Sequence, residues 1–209
     1  MVYPTQIVSR WEQLPACPTF AADNFLWNSR VHPPAFGRMA YLPGTGLCLH
    51  LTCQETDPKR ECTNHHEMVC KDSAMEVFFA FPDPHLRQCD PPENDCLYLN
   101  FEVNANGAMF AKHGHGRQNR QFITTEEYVQ TGVKATIMPE RWEVQLTIPD
   151  MLLARVAQLS GLASGDKFFF NFYKISEDPA IEHYGAYNPI PTEHPNFHLP
   201  AHFAIAKIV

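Results

Sequence analysis

Two stretches near the middle of the chain, residues 73–81 and 97–103, carry apolar side chains at every second position. Successive side chains of a strand point to opposite faces of its sheet. In the second stretch, Leu, Phe and Val side chains fall on one face and Asn100 and Glu102 on the other, and Glu76 takes the matching polar face of the first stretch. The pattern predicts two strands of one sheet, with an apolar face on the core and a polar face that gathers Glu76, Asn100 and Glu102.

The rest of the chain shows short runs of the same alternation, separated by Pro, Gly and Asn residues that favour turns. The runs that predict further strands are residues 38–42, 47–53, 108–112, 133–138, 142–148, 167–176 and 203–209. The segment up to Phe36 is broken by prolines and is predicted to wrap around the sheets with one short strand, its Trp11 and Trp27 packed against them. The predicted loops are residues 54–71, 82–96 and 113–116.

Helical spacing with clear boundaries occurs late in the chain. It begins at Pro149, repeats apolar residues four and three apart over residues 152–159, and is predicted to stop at Gly161. A shorter helical piece is predicted over residues 125–129. Many short strands with one short helix late in the chain predict an all-β sandwich, and the length fits a single domain over residues 1–209.

Charge and cysteine content narrow the expected partners and compartment. The chain has a net charge of −7 and no long basic run, so nucleic acid is not an expected partner. No stretch approaches about 18 apolar residues, and the first thirty residues lack an apolar signal region, so neither a membrane nor a secretory route is expected. Seven cysteines in such a chain fit a reducing compartment, and a cytoplasmic location is predicted unless a leader has been removed.

The polar positions on the central strands have three interpretations. Carboxylate and amide groups side by side suit a polyhydroxylated ligand such as a carbohydrate, and Asn171 extends the patch from a further strand. A plain alternative is a solvated strand face, where exposed carboxylates commonly lie. The third is a glycoside hydrolase, because two carboxyl groups about 5–9 Å apart, here Glu76 and Glu102, are what such an enzyme needs.

Thiol and imidazole groups cluster in the predicted loop at residues 54–71. They belong to Cys62, His65, His66 and Cys70. Such groups are zinc ligands in other proteins, but the paired Cys-x2-Cys spacing of a zinc knuckle is missing. A metal-stabilised β-sandwich of diverged function, with zinc or calcium as a structural ion, is therefore an alternative to an ordinary solvated loop. No other cofactor is predicted.

Five sequence blocks occur in an order typical of one family. They are DSAMEVFF at residues 72–79, YLNFEVN at 98–104 with Gly107, WEVQLTIP at 142–149, NFYK at 171–174, and PNFHLP at 195–200 with Phe203. Over roughly residues 20–209 the chain resembles the carbohydrate-binding module family nine fold, in its DOMON-related branch. The resemblance implies a jelly-roll-like antiparallel β-sandwich that holds a glycan end between two aromatic rings.

The resemblance also implies roles for individual residues. The matched polar positions are Glu76, Asn100, Glu102 and Asn171. The first aromatic position is Cys70 or Lys71 in this chain, and the second falls at Tyr187, which is expected to stack on a sugar ring. The predicted function is non-catalytic binding of a glycan on the polar sheet face. Glu76→Ala is then expected to abolish ligand-dependent thermal stabilisation and to leave the fold intact.

Overall fold

The computed structural model describes residues 2–82 and 92–209, and strands dominate it. In chain order the strands are β1 (Val2–Ile7), β2 (Thr19–Ala21), β3 (Asn24–Phe25), β4 (Ala35–Leu42), β5 (Gly46–Cys53), β6 (Ala74–Ala80), β7 (Leu97–Asn104), β8 (Met109–His115), β9 (Gln121–Phe122), β10 (Lys134–Met138), β11 (Arg141–Pro149), β12 (Lys167–Ser176), β13 (His183–Ala186) and β14 (Ala204–Ile208). The described α-helices are α1 (Thr125–Thr131) and α2 (Asp150–Ala157). Most of the predicted loop at residues 82–96 lies outside the described residues.

The strands form two sheets that share one core. The first sheet has the order β10-β11-β5-β4, with β2 beside β4, and the second has the order β14-β12-β6-β7-β8-β9, with β13 beside β12 and β3 beside β13. Strand β1 belongs to both sheets, because residues 2–5 pair in parallel with β14 and residues 6–7 pair in parallel with β4. The predicted all-β sandwich is confirmed, and β1 joins its two sheets into one curled surface.

The core between the sheets consists of the apolar faces that the alternation predicts. Phe79 and Phe101 of the second sheet and Trp142 of the first are fully buried in it. Burial of a Phe side chain stabilises the fold by about 1.5–3 kcal/mol. This core therefore fixes which face of β6 and β7 points outward, and with it the direction of Glu76 and Glu102.

The outer face of the second sheet is covered rather than open. Tyr173 of β12 stacks on Phe197 from the segment before β14, with ring centroids 3.9 Å apart. The hydroxyl of Tyr98 in β7 is hydrogen-bonded to Nδ1 of His198 at 2.8 Å. A second apolar layer thus lies on this face. The alternative of a solvated strand face is therefore wrong.

Two segments differ from their predicted structure. The N-terminal segment contributes three strands rather than one, because its main chain pairs with β14, β4 and β13. Residues 113–115, predicted as a loop, extend β8, since their main chain pairs with residues 97–99 of β7. In both places main-chain pairing prevails over a composition that favours turns.

Helix α1 is longer than its predicted piece and is capped by two side chains. Thr124 and Glu127 each accept a hydrogen bond from the other residue's main-chain N–H, at 3.2 and 2.8 Å. This capping box satisfies two donors that a helix start otherwise leaves free. Arg155 of α2 donates to both carboxylate oxygens of Glu127, at 2.6 and 2.7 Å, and so ties the two helices together.

Helix α2 begins after Pro149 as predicted but ends early. Its last residue is Ala157, because Gln158 adopts a left-handed φ of 56° and closes the helix before Gly161 is reached. Both helices are short. Within residues 2–82 and 92–209, no helix has the length and apolar character needed to cross a bilayer.

A buried polar network lies on the inner side of β12. Lys174 is fully buried, donates from Nζ to Ser73 Oγ, and is hydrogen-bonded to Nε2 of His183 at 2.8 Å. Ser73 and Trp142 donate to Oε2 of Glu55, which lies 3.7 Å from the Lys174 ammonium. Burial raises the pKa of Glu55, but Lys174 and the two donors outweigh it and lower that pKa overall. The Lys174 cation is thus already paired with Glu55.

Candidate functional site

The second apolar layer leaves a cleft of about 360 Å³ above β6 and β7. Its floor is formed by Glu76, Asn100 and Glu102, the three polar residues predicted from the central strands. Their exposed fractions are 3%, 0% and 5%, so the floor is deep rather than superficial. The fold therefore brings these three side chains together, as predicted.

The two carboxyl groups of the floor face each other. Glu76 of β6 and Glu102 of β7 are directly opposite in the antiparallel register, and such cross-strand neighbours have Cβ atoms about 4.5–5.5 Å apart. Burial raises the pKa of Glu102 to about 8. Burial, then the charges of Glu102 and Glu177, raise the pKa of Glu76 well above its usual range. Burial therefore favours the protonated form of both carboxyl groups at neutral pH.

Asn100 connects the carboxyl pair to a guanidinium group. Its Nδ2 donates to Oε1 of Glu102 at 2.9 Å, and its Oδ1 accepts from Nε and Nη2 of Arg120 at 3.2 and 2.7 Å. The guanidinium carbon lies 3.5 Å from the ring centroid of Tyr98. The other donors of this group reach main-chain carbonyls of Tyr98, Lys112, Gly114 and Gly116. Arg120 is thus a fixed wall of the cleft.

Aromatic rings form another wall. Trp27 lies 5.5 Å from Tyr184 in an edge-to-face contact and 5.5 Å from Phe197 in a tilted one. Its Nε1 donates to the carbonyl oxygen of Thr192 at 2.7 Å, which fixes the indole ring. Trp27 is packed as predicted, but it also lines the cleft. Such a wall suits the apolar C–H face of a sugar ring.

Two predicted site residues do not line this cleft. Asn171 donates from Nδ2 to the carbonyl oxygen of Asn188 at 2.8 Å, and its Oδ1 accepts from the N–H of Asn188 at 2.9 Å. Tyr187 stacks on Phe170 at a centroid distance of 5.3 Å, at the border of the inter-sheet core. Asn171 therefore holds a loop and Tyr187 packs beside the core. A ligand contact by either residue stays an untested prediction.

The four candidate metal ligands separate into two places. Cys70 lines the cleft, where its Sγ lies 3.6 Å from Oε2 of Glu177, and Cys62 packs at the edge of the same apolar layer. His65 and His66 instead stack on aromatic rings of α1 and β9. In the described part of the chain, no three His, Cys, Asp or Glu side chains are grouped so that they could hold a metal ion. The metal alternative stays untested.

Several lining residues, among them Arg120, Lys112 and Phe197, were not predicted from the sequence as part of the site. Arg120 and Lys112 have no periodic pattern that marks them, because one lies between short elements and the other looks like an ordinary strand lysine. Phe197 belongs to the PNFHLP block of the family resemblance, which was the one available signal for it. The sequence did not predict where the segments that carry these residues place their side chains.

The chain has clear relatives in sequence and in structure. It matches the sequence model of carbohydrate-binding family 9 over residues 14–208. A crystal structure titled as a "putative carbohydrate-binding protein" from Bacteroides uniformis ATCC 8492 superposes with a TM-score of 0.78 and 22% identity, covering 100% of this chain and 99% of the other. No curated protein matches significantly.

Two further solved structures are family 9 modules from Caldicellulosiruptor kristjanssonii. The complex with cellotriose has a TM-score of 0.67 and the complex with glucose a TM-score of 0.66, each at 12% identity. They cover 100% of this chain and 93% and 96% of their own chains. These likenesses confirm the fold, and the sequence match extends over nearly its whole length. The chain belongs to carbohydrate-binding family 9.

Proposed function

We propose that this protein is a non-catalytic carbohydrate-binding protein and that the cleft above β6 and β7 is its glycan site. The observation that supports this most is the joining of buried polar groups to an aromatic wall. Glu76, Asn100 and Glu102 offer hydrogen-bonding groups at the floor, and Trp27 and Phe197 offer apolar rings beside them. A sugar ring presents the same two characters, hydroxyl groups on its edge and C–H groups on its faces.

The dimensions of the cleft fit a small ligand. A volume of about 360 Å³ lies within the range of about 300–1,000 Å³ that is common for small-molecule sites. Because Asn100 is held by Arg120 and Glu102, its amide orientation is set before a ligand arrives. A preformed site loses less entropy on binding. The cleft is therefore suited to bind a glycan end without rearrangement.

The protonation of the floor favours binding over hydrolysis. A glycoside hydrolase needs one carboxyl group as an acid and a second one ionised as nucleophile or base. Here the pKa values of both Glu76 and Glu102 are raised, chiefly by burial. No cation contacts either carboxyl group within the described residues. Neither residue is thus prepared to act as the ionised partner at neutral pH.

Thermal stabilisation by sugars tests the proposal. Glucose and cellotriose are the first probes, since the solved family 9 modules named above are complexes with them. A ligand at about 100 times its dissociation constant stabilises the folded state by about 2.7 kcal/mol. Wild type is expected to show a rise in melting temperature that is lost in Glu76→Ala.

The matched control is Glu126→Ala, since Glu126 is an exposed carboxylate on α1 outside the cleft. The control is expected to respond to the sugars as wild type does. A rise that persists in Glu76→Ala would place the site elsewhere, and the absence of a rise in wild type with any sugar would remove the proposed function.

A further inference from the structure

The floor of the cleft holds a carboxyl group that receives no hydrogen bond from the described residues. Glu76 is 97% buried, since its exposed fraction is 3%, yet no side chain or main-chain N–H in residues 2–82 and 92–209 donates to it. The facing Glu102 receives one hydrogen bond, from Asn100 to Oε1. A buried carboxyl without donors is costly unless something else satisfies it. The missing donor is therefore expected to come from the ligand.

Two cations that line the cleft, Arg120 and Lys112, are engaged with other groups. Arg120 gives its donors to Asn100 and to main-chain carbonyls, and Asn100 stands between this guanidinium and Glu102. Lys112 lies over the rings of Phe110 and Phe122, with Nζ 4.8 and 4.3 Å from their centroids. None of these cations forms a salt bridge to the floor. Among the residues that the structure describes, no cation thus forms a salt bridge to either of the two facing carboxyls.

A third cation near β6, Lys174, faces away from the cleft. Tyr173, not Lys174, is in register with Glu76, and neighbouring strand residues point to opposite faces. The Lys174 ammonium is bound on the inner side to Ser73 and His183. Its charge lowers the pKa of Glu76 from the other side of the sheet, without contact. A cation that directly contacts the floor has to enter from the cleft.

A metal ion fits the floor less well than an organic cation. Divalent metal ions require several oxygen, nitrogen or sulfur ligands at short range. In the described residues no group of three such side chains is arranged to supply them. An ammonium group needs only a few acceptors, because it carries three donors on one atom. Aromatic faces such as that of Trp27 also attract cations.

We propose that the cleft prefers sugars that carry a protonated primary amine, and that the ammonium group binds between Glu76 and Glu102. This inference rests on the proposed function, since it names the class of sugar for the same site. Hydrogen bonds between ions are about twice as strong as neutral ones. On binding, one of the two carboxyl groups releases its proton to solvent, and the ammonium group then pairs with the carboxylate that forms. The raised pKa values of both residues are consistent with a pair that lacks a cation.

Calorimetric titration at pH 7 with matched sugars tests this preference. The probes are glucose, glucosamine and N-acetylglucosamine, together with galactose and galactosamine, so that the comparison does not depend on one ring stereochemistry. At least one amino sugar is expected to bind about tenfold more tightly than its hydroxyl counterpart. N-acetylglucosamine is expected to bind no better than glucose, because its amide carries no charge.

Three variants locate the preference. Glu76→Gln is expected to remove the advantage of the amino sugar and to retain binding of the neutral sugar, since the amide keeps the shape but not the charge. Glu102→Gln serves the same purpose if Glu76→Gln does not fold. Glu126→Gln, on the exposed face of α1, is expected to keep the wild-type preference.

The outcomes separate the two proposals. If glucose and galactose both bind wild type as tightly as their amino counterparts, the amine preference is overturned and the glycan function stands. If an amino sugar keeps its advantage in both Gln variants, the ammonium does not bind at this floor and the inference is also overturned. If none of these sugars and no cellotriose binds, the function and the inference fail together.

Discussion

At the scale of single residues, the facing carboxyl groups of Glu76 and Glu102 make the stability of the protein depend on pH. In an unfolded chain such carboxyls have an ordinary pKa of 4.5, whereas burial raises the pKa of Glu102 to about 8 in the folded protein. Between these two values the folded state keeps a proton that the unfolded state has lost. The free energy of unfolding therefore falls as the pH rises through this interval.

Glu102→Gln is expected to remove this dependence. Its melting temperature should exceed that of wild type, and the difference should grow from about pH 6.5 to about pH 8 and level off above that, because folded wild type keeps the Glu102 proton up to about pH 8 whereas its unfolded chain does not. Differential scanning calorimetry across this range measures it. The groups around Glu102, namely Glu76, Glu177, Arg120, Lys112 and Cys70, are the same in both proteins, so the difference reports the loss of the Glu102 carboxyl, including its effect on the pKa of Glu76.

Two buried histidines titrate below this window. Burial lowers the pKa of His183 to about 4 and that of His198 to about 3. A buried histidine with a lowered pKa makes the folded protein less stable as the pH falls below 6.5, the ordinary pKa of histidine. Parallel pH profiles for wild type and Glu102→Gln between about pH 6.5 and about pH 8 would mean that Glu102 ionises normally in the folded protein.

The residues of the site differ in how far the sequence alone predicts their positions. Glu76, Asn100 and Glu102 followed from alternation alone, because period-2 geometry fixes the face of a strand residue once the core face is known. Tyr187 and Trp27 are loop or strand-end residues, and no period fixes the direction of their side chains. Arg120 acts through contacts with distant main-chain carbonyls, which only the folded chain brings together.

At the scale of elements, the turn between β4 and β5 depends on two glycines in different ways. Gly46 has a φ of +140°, and a Cβ there would overlap the main-chain carbonyl oxygen of Ile148 in β11. Gly44 has a φ of +75°, with no atom within 4 Å of an added Cβ. Gly46 therefore serves both the turn and the pairing of β5 with β11, and Gly44 serves only the turn.

Gly46→Ala is expected to lower the free energy of unfolding by about 3 kcal/mol or more, because backbone strain and a main-chain clash add together. Gly44→Ala is the matched control and should cost about 1 kcal/mol, from the left-handed backbone alone. Urea denaturation of both variants measures these values. Equal losses in the two variants would contradict the role of the β5–β11 contact.

The hairpin itself was predictable, whereas the extent of β8 was not. The Pro-Gly-Thr-Gly sequence at residues 43–46 marks a turn between alternating runs, and the structure has strands on either side of it. The His-Gly-His sequence at residues 113–115 looks equally turn-like, yet it pairs with β7. Local composition does not report the long-range pairing that decides such cases.

At the scale of the whole molecule, strand β1 and the inter-sheet core couple the two sheets. Because β1 pairs with β14 at one end and with β4 at the other, neither sheet is complete without the same six residues. The core between the sheets takes side chains from both. The prediction of a single domain over residues 1–209 agrees with this coupling and is open to test.

Unfolding of wild type is expected to be one cooperative transition. Far-ultraviolet circular dichroism follows the strands, and fluorescence follows Trp142 in the inter-sheet core and Trp27 at the cleft. Coincident urea transitions from both signals are expected for one unit. A Trp27→Phe variant, which removes the cleft signal, should give the same midpoint from fluorescence as from dichroism. Separate midpoints would show that the sheets unfold independently.

The network around Lys174 also constrains how this sequence can change over generations. Loss of Lys174 alone would leave Glu55 as a partly buried carboxylate without its cation, at a cost of up to about 3 kcal/mol. The net stability of a domain is only about 5–15 kcal/mol, so such an intermediate is close to unfolding. In the evolution of this sequence, Lys174 and Glu55 can therefore be replaced only together. Lys174, Glu55 and Ser73 are expected to be inherited, and exchanged, as one unit.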